Sequence, residues 1–257
     1  MSTASGRSSR TLASAPTDEV SARAGPARAP SSPELMPYRL REGLHWCQCA
    51  GRIVFLDLLE DRYSCLSQGA TEAFLRLGKG QSRPEDSERL RSLIARRMLI
   101  EAPGAIPWDR PARIAPVSGD LVHEPYPKPS LPDLIQAVTG QLGWSLLVRT
   151  RQLATIVRRL ERRARRRSPS TQAASRRIAQ LTSAFAAVSA FLPAEDRCLV
   201  RALALHALCC RYGIRPSLVF GVRMNPFRAH CWAQLGGKVL IGDFEQVRLF
   251  TPIAAFG

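Results

Sequence analysis

The sequence predicts an α+β chain in which two ordered regions are joined by a Pro-rich connector. Three observations lead to this reading. Between residues 38 and 100, three short runs of alternating apolar residues precede two runs of helical period. Residues 101 to 130 then take on the Pro and Gly density of a linker. Past residue 131, helical runs lead into strands that end in the hairpin pattern "AHCWAQLGGKVLIGD", residues 229 to 243. The expected divisions are a tail over 1–36, a first region over 37–100, the connector over 101–130 and a second region over 131–257.

The opening "MSTASGRSSRTLASAPTDEVSARAGPARAPSSPE" is rich in Ser, Ala, Pro and Arg and poor in large apolar residues, the composition of a disordered tail. It contains no apolar run of the secretory type. Its Ser- and Arg-rich, acid-poor start resembles an organelle transit peptide, and a start codon assigned too far upstream accounts for it equally well.

In the first region, "LHWCQCA", "RIVFLDLLE" and "RYSCLS" read as three strands with turns at Ala50-Gly51 and Glu60-Asp61. Ser67 is placed to cap a helix through "QGATEAFLRL" that stops at Gly78. A second amphipathic helix is expected over "PEDSERLRSLIARRMLI", with Pro84 at its start and acids in its first turn. The "LGKG" at 77 to 80 lacks the glycine spacing and following Ser or Thr of a phosphate loop.

Net charge is +16 and the pI about 10.8, so nucleic-acid binding has to be weighed. The arginines are densest in "IVRRLERRARRRSPS", over 158–167, without interleaved aromatics or a nucleic-acid motif. That block reads as a solvated helix face or as a surface for an acidic partner or membrane headgroups, and no nucleic acid is expected. Seven cysteines, an odd number, argue against a disulfide framework. A zinc site would need Cys47, Cys49 and Cys65 completed by His45, and no metal is expected. No run reaches the roughly 18 apolar residues of a membrane span, so a soluble, cytoplasmic protein is expected.

The hairpin at 229 to 243 raises a chemical question, because one strand carries His230 and the other Asp243. If Gly236 and Gly237 form the loop, Leu235 faces Lys238 and, counting outward, His230 faces Asp243 at a non-hydrogen-bonded position. Such a pair is an imidazole oriented by a carboxylate. Upstream, "CLVRALALHALCCRYG" has helical spacing from Cys198 to Tyr212, with Gly213 as its stop. Cys198 then falls in the first turn, where free amides, the helix dipole and Arg197 favour a thiolate. Trp232, Val239 and Ile241 form an apolar patch on the face bearing His230, and the Cys198 helix is its expected cover. "SLVFGVR" reads as the preceding strand, with Asn225-Pro226 in the turn. A Cys at a helix start followed by a His- and Asp-bearing hairpin is the arrangement of a cysteine peptidase or a transglutaminase-like enzyme. His206 is a reserve base two turns along the helix, while Cys209, Cys210 and Cys231 read as packing.

"CLVRALALHALCCRYGIRPSLVFGVR" followed by "AHCWAQLGGKVLIGD" closely resembles the leader peptidase of lasso peptide biosynthesis, the B protein, over roughly residues 131 to 257. The resemblance implies a transglutaminase- or papain-like domain with Cys198, His230 and Asp243 as its triad. The strand-strand-strand-helix-helix order of the first region resembles the small winged-helix-like recognition element of pathways for ribosomally made, modified peptides. There an extended leader adds to the third strand, here Arg62 to Leu66, and packs on the last helix. The implied leader-binding residues are Tyr63, Cys65, Leu90, Leu93, Ile94 and Arg97. Further implications are a precursor peptide with Thr just before the last leader residue, an asparagine-synthetase-like macrolactam synthetase as partner, ATP dependence only through that partner, no cofactor in this chain, and a bacterial cytoplasmic setting. Two rival functions remain open: a non-catalytic escort of the precursor, and transglutaminase-type acyl transfer to an amine.

Overall fold

Residues 38–102, 114–121, 128–164, 171–191 and 197–257 are described by the computed structural model, and the first of these segments builds an N-terminal sheet. The expected tail over 1–36 lies outside them. After a short strand β1 (Tyr38–Leu40) come β2 (Leu44–Cys49), β3 (Arg52–Asp57) and β4 (Arg62–Cys65), an antiparallel meander in the order β2-β3-β4. The expected turns are present, with Ala50, Gly51 and Asp61 all at positive φ. Helix α1 (Gln68–Gly78) begins where Ser67 accepts a bond from the Ala70 amide at 3.3 Å.

The second expected helix is shorter than its apolar period suggests. Helix α2 spans Asp86–Ala95, and Leu99–Glu101 is a strand, β5, paired antiparallel with β1. Arg97 takes φ 54, so Met98 N turns back to Leu93 O and the chain leaves the helix.

β3 is buried at five consecutive positions after Arg52 because both sheet faces are covered. Leu44, Trp46, Ile53 and Phe55 pack on Phe74, Leu77, Leu90 and Leu93 of the two helices. On the other face, Cys47, Val54 and Leu56 share a core with the C-terminal part of the chain. That core includes Leu153, Val157 and Leu160 of α4 (Leu153–Ala164), Phe220 of β7 (Ser217–Arg223) and Phe256 of β10 (Thr251–Phe256). The first region is therefore fused to the second through a common core, and the described residues form one compact unit.

The second sheet runs β10-β7-β8-β9-β6, with β8 Arg228–Leu235, β9 Lys238–Ile241 and β6 Gly119–Asp120. β6 lies in the Pro-rich stretch expected to be a connector and adds parallel to β9. A Cβ on Gly237 would stand 2.5 Å from Ser118 Oγ, so glycine at the hairpin tip admits this segment. Helices α3 (Leu131–Thr150), α5 (Thr171–Phe191) and α6 (Cys198–Arg211) pack together, and α6 lies on β8. The arginine block divides: Ile156, Val157 and Leu160 of α4 are buried, while Arg158, Arg159 and Arg162 face outward. Among the described residues no helix is long and apolar enough to cross a membrane.

Gly221 of β7 faces His230 of β8, and a Cβ there would come within 2.7 Å of the Trp232 ring and 3.1 Å of Phe250. Trp232 cannot yield easily, because its Nε1–H is bonded to Gln234 at 2.8 Å and its ring is fully buried. Gly221→Ala is expected to cost about 1–3 kcal/mol through overpacking. Urea unfolding checks this, and an unchanged midpoint would mean the strands separate without strain.

Candidate active site

Cys198 is the first residue of α6, a helix of 14 residues whose N-cap, Arg197, makes no side-chain capping bond. The helix is buried on two sides, Leu203 in the core shared with the N-terminal sheet and Leu205, Leu208 and Cys209 in the core with α3 and α5, and it is capped at Tyr212 before Gly213 takes φ 79. A helix start turns backbone amides and the positive end of the dipole toward whatever sits before it, a setting that suits an oxyanion. Arg201, one turn on, stands near Cys198. Burial and the like charge of Arg197 lower its guanidinium, and Cys198 partly offsets this.

β8 presents its residues alternately to two different surroundings. Cys231 is buried in the core shared with the N-terminal sheet, and the Cys198 side chain packs against that same core. His230 lies on the other face, stacked on Trp232 at 6.2 Å between ring centroids and tilted over Phe250 at 5.2 Å. Burial lowers its basicity, which favours the neutral imidazole near pH 7. The expected cover also differs: Trp232 and Val239 pack with Val247 of α7 (Phe244–Val247), Phe244 and Phe250, while α6 lies over Ala233 and Leu240.

The expected register fails at one place. Leu235 pairs with Lys238 and Gln234 with Val239, but Ala233 pairs with Ile241, leaving Leu240 as a bulge. Strict counting therefore no longer sets Asp243 opposite His230, and β9 ends at Ile241 before that position is reached. The extra residue, Leu240, is buried on the α6 side with Ala233. Asp243 becomes the N-cap of α7, where its Oδ1 accepts the Glu245 amide at 2.9 Å.

Cys198, His230 and Asp243 nevertheless open on one cavity of about 430 Å³, together with Arg201, Arg228 and Phe250. No hydrogen bond joins the three among the described residues, and Cys198 and His230 approach the cavity from the two faces of β8. Arg201 was accessible to sequence reasoning as the residue three positions after Cys198, on the same helix face. Arg228 and Phe250 carried no local signal.

His206, the reserve base, is fully buried, with Nδ1 3.8 Å from Cys210 Sγ, and it does not line the cavity. Of the residues expected to bind a leader, Tyr63 is half-buried on β4 and stacks edge-on to Phe227 at 5.7 Å. Burial, with Cys231 and Cys198 nearby, raises its phenol. Cys65 and Arg97 are exposed and Ile94 is half-buried. Leu90 and Leu93 point inward and are buried against α1 and the sheet, so a peptide cannot touch them. The seven cysteines are free thiols. Among the described residues no group of three or more His, Cys, Asp or Glu side chains could hold a metal ion.

Residues 138–255 match the family model described as the transglutaminase-like superfamily. The C-terminal part of the chain thus carries a transglutaminase-like superfamily domain, a class that spans cysteine peptidases and acyl transferases. No curated protein and no solved structure matched the chain.

Proposed function

We propose that the chain is a bacterial, cytoplasmic cysteine peptidase that binds the leader of a ribosomally made lasso peptide precursor and removes it, freeing the core amine for macrolactam formation by an asparagine-synthetase-like partner. The observation that supports this best is the cavity onto which a helix-start thiol, an imidazole of lowered basicity and a carboxylate all open. His230 takes the Cys198 proton as Sγ attacks the carbonyl carbon at the leader–core junction. The Cys198 amide, at the open helix start, receives the oxyanion. The C–N bond breaks as His230 returns the proton to the leaving amine, and water then hydrolyses the thioester. Asp243 has one oxygen fixed by the α7 cap, which leaves Oδ2 to orient the imidazole. ATP enters only through the partner enzyme, and this chain needs no cofactor of its own.

The leader is assigned to β4, the edge of the three-stranded sheet. Tyr63 and Cys65 are on the side of that strand turned toward the shared core, with Ile94 and Arg97 near the end of α2. Leu90 and Leu93 are left out of this role.

Mass spectrometry of precursor incubated with the synthetase and ATP tests the reading. Wild type is expected to release free leader together with core, the two summing to precursor plus water while the core is linear and to the precursor mass once the synthetase has closed the macrolactam, and Cys198→Ala to release no leader. A cross-linked product with loss of ammonia would instead make the chain an acyl transferase. Threaded product made equally well by both proteins would make it an escort.

A further inference from the structure

Among the described residues eight large apolar side chains are exposed, and five of them sit on α3: Leu131, Ile135, Val138, Leu142 and Leu146, each 36–70 % exposed. At 100° per residue these five fall within an arc of about 80°, a continuous stripe along the whole helix. The opposite face of α3 is already occupied, since Ala137 and Gln141 are buried and a Cβ added at Gly140 would touch Ala204 and Leu208 of α6. An ordinary surface helix carries charge on its outer face. Here the charged residues of α3 are Asp133, turned inward to Arg177 at 2.6 Å, and Arg149 at the C-terminal end.

We infer that the α3 stripe is a dimer interface between two copies of this chain, paired antiparallel about a two-fold axis. The spacing is self-complementary: about a midpoint between Val138 and Thr139, Leu131 mirrors Leu146 and Ile135 mirrors Leu142. A two-fold pair requires that correspondence, because each residue must meet the partner of its own mirror position. The steps of three and four residues are those of packed helices. Side chains this exposed present on the order of 500 Å² of apolar surface, the upper range for the largest patch on a monomer. Two copies bury on the order of 1,000 Å² of it, where specific interfaces begin. The stripe residues do not line the Cys198 cavity.

Electrostatics sets the salt dependence. Each chain carries +16, and the pairing brings exposed Arg149 toward exposed Lys128 of the second copy. Added salt screens both repulsions, so association strengthens from low to moderate salt. Docking on an anionic membrane or an acidic partner would weaken instead.

Sedimentation equilibrium of the full chain at low and at moderate salt provides the test. Wild type is expected to approach twice the 28.3 kDa chain mass, more completely at higher salt. Ile135→Lys and Leu142→Glu, each alone, should raise the dissociation constant by more than about tenfold, since each puts two unpaired charges into the interface. The double variant Ile135→Lys/Leu142→Glu sets opposite charges face to face and should recover much of the loss. Circular dichroism verifies that all three variants fold. A wild type that stays monomeric at every salt and concentration overturns the inference, as does a dimer unmoved by the single variants or not recovered by the double one. Binding to anionic vesicles by a monomer, lost in Leu142→Glu, would overturn it in favour of a lipid surface.

Discussion

Cys198→Ala is expected to lower the rate of the proposed leader removal by about 10⁴-fold or more, because in that mechanism losing the nucleophile removes the whole covalent route and leaves only binding and oxyanion stabilisation. Single-turnover kinetics with excess enzyme would measure it. His230→Ala should fall in the same range, and the double variant should be no worse than either single one, since the two act as a unit. Asp243→Asn separates two roles for one carboxylate. Asparagine keeps the α7 cap through its amide oxygen, so the fold should hold, but it cannot stabilise an imidazolium, and a loss of about 10²–10⁴-fold is expected. A normal rate in Asp243→Asn would make Asp243 a cap alone. The acid limb of kcat/KM should lie below the ordinary histidine value of 6.5, because burial disfavours protonated His230 and the base form is needed for attack. A limb above 6.5 would instead indicate an imidazolium held by the thiolate.

That Cys198, His230 and Asp243 would face one space was readable in the sequence because it rests on rules with few solutions: a thiol wants a helix start, and a Gly-Gly pair closes a hairpin. Their mutual geometry was less readable. Leu240 is as apolar as its neighbours, and nothing in the alternation marks it as the residue that bulges, yet it moves every later position by one. The end of α2 was hidden for a similar reason. Met98 and Leu99 keep the helical period, and the break depends on Arg97 taking a left-handed conformation that glycine or asparagine would have advertised. Leu90 and Leu93 show a different ambiguity. An apolar helix face must be covered, but amphipathicity does not say whether by a ligand or by the protein, and here α1 and the sheet cover it. β6 lay concealed in a Pro-rich stretch because two residues are too few to carry a period.

The largest stability effect expected from pH belongs to His206. Its side chain is fully buried, and burial pushes its imidazole down to about 4, with the Pro216 carbonyl offsetting part of the shift. In the unfolded chain it titrates near 6.5, so between these values the unfolded state holds the proton and the folded state does not. Stability is therefore complete above 6.5 and is lost as pH falls toward 4, by about 2 kcal/mol at pH 5 and about 3 kcal/mol at the lower limit. His45 and His230, both lowered by burial, add slope of the same sign. Two lowered carboxylates act outside this window. Asp86, held low by its bond from Arg76, and Asp133, where bonds from Ser130 and Arg177 outweigh burial, both lie below the usual 3.8 and lose their contribution only in more acid solution. Denaturant midpoints at pH 7.5 and pH 5 should thus differ clearly for wild type and much less for His206→Leu, which keeps a similar volume and cannot titrate. Equal slopes in the two proteins would mean that His206 reaches water before the chain unfolds, and that the helix carrying Cys198 opens locally from the end remote from the thiol.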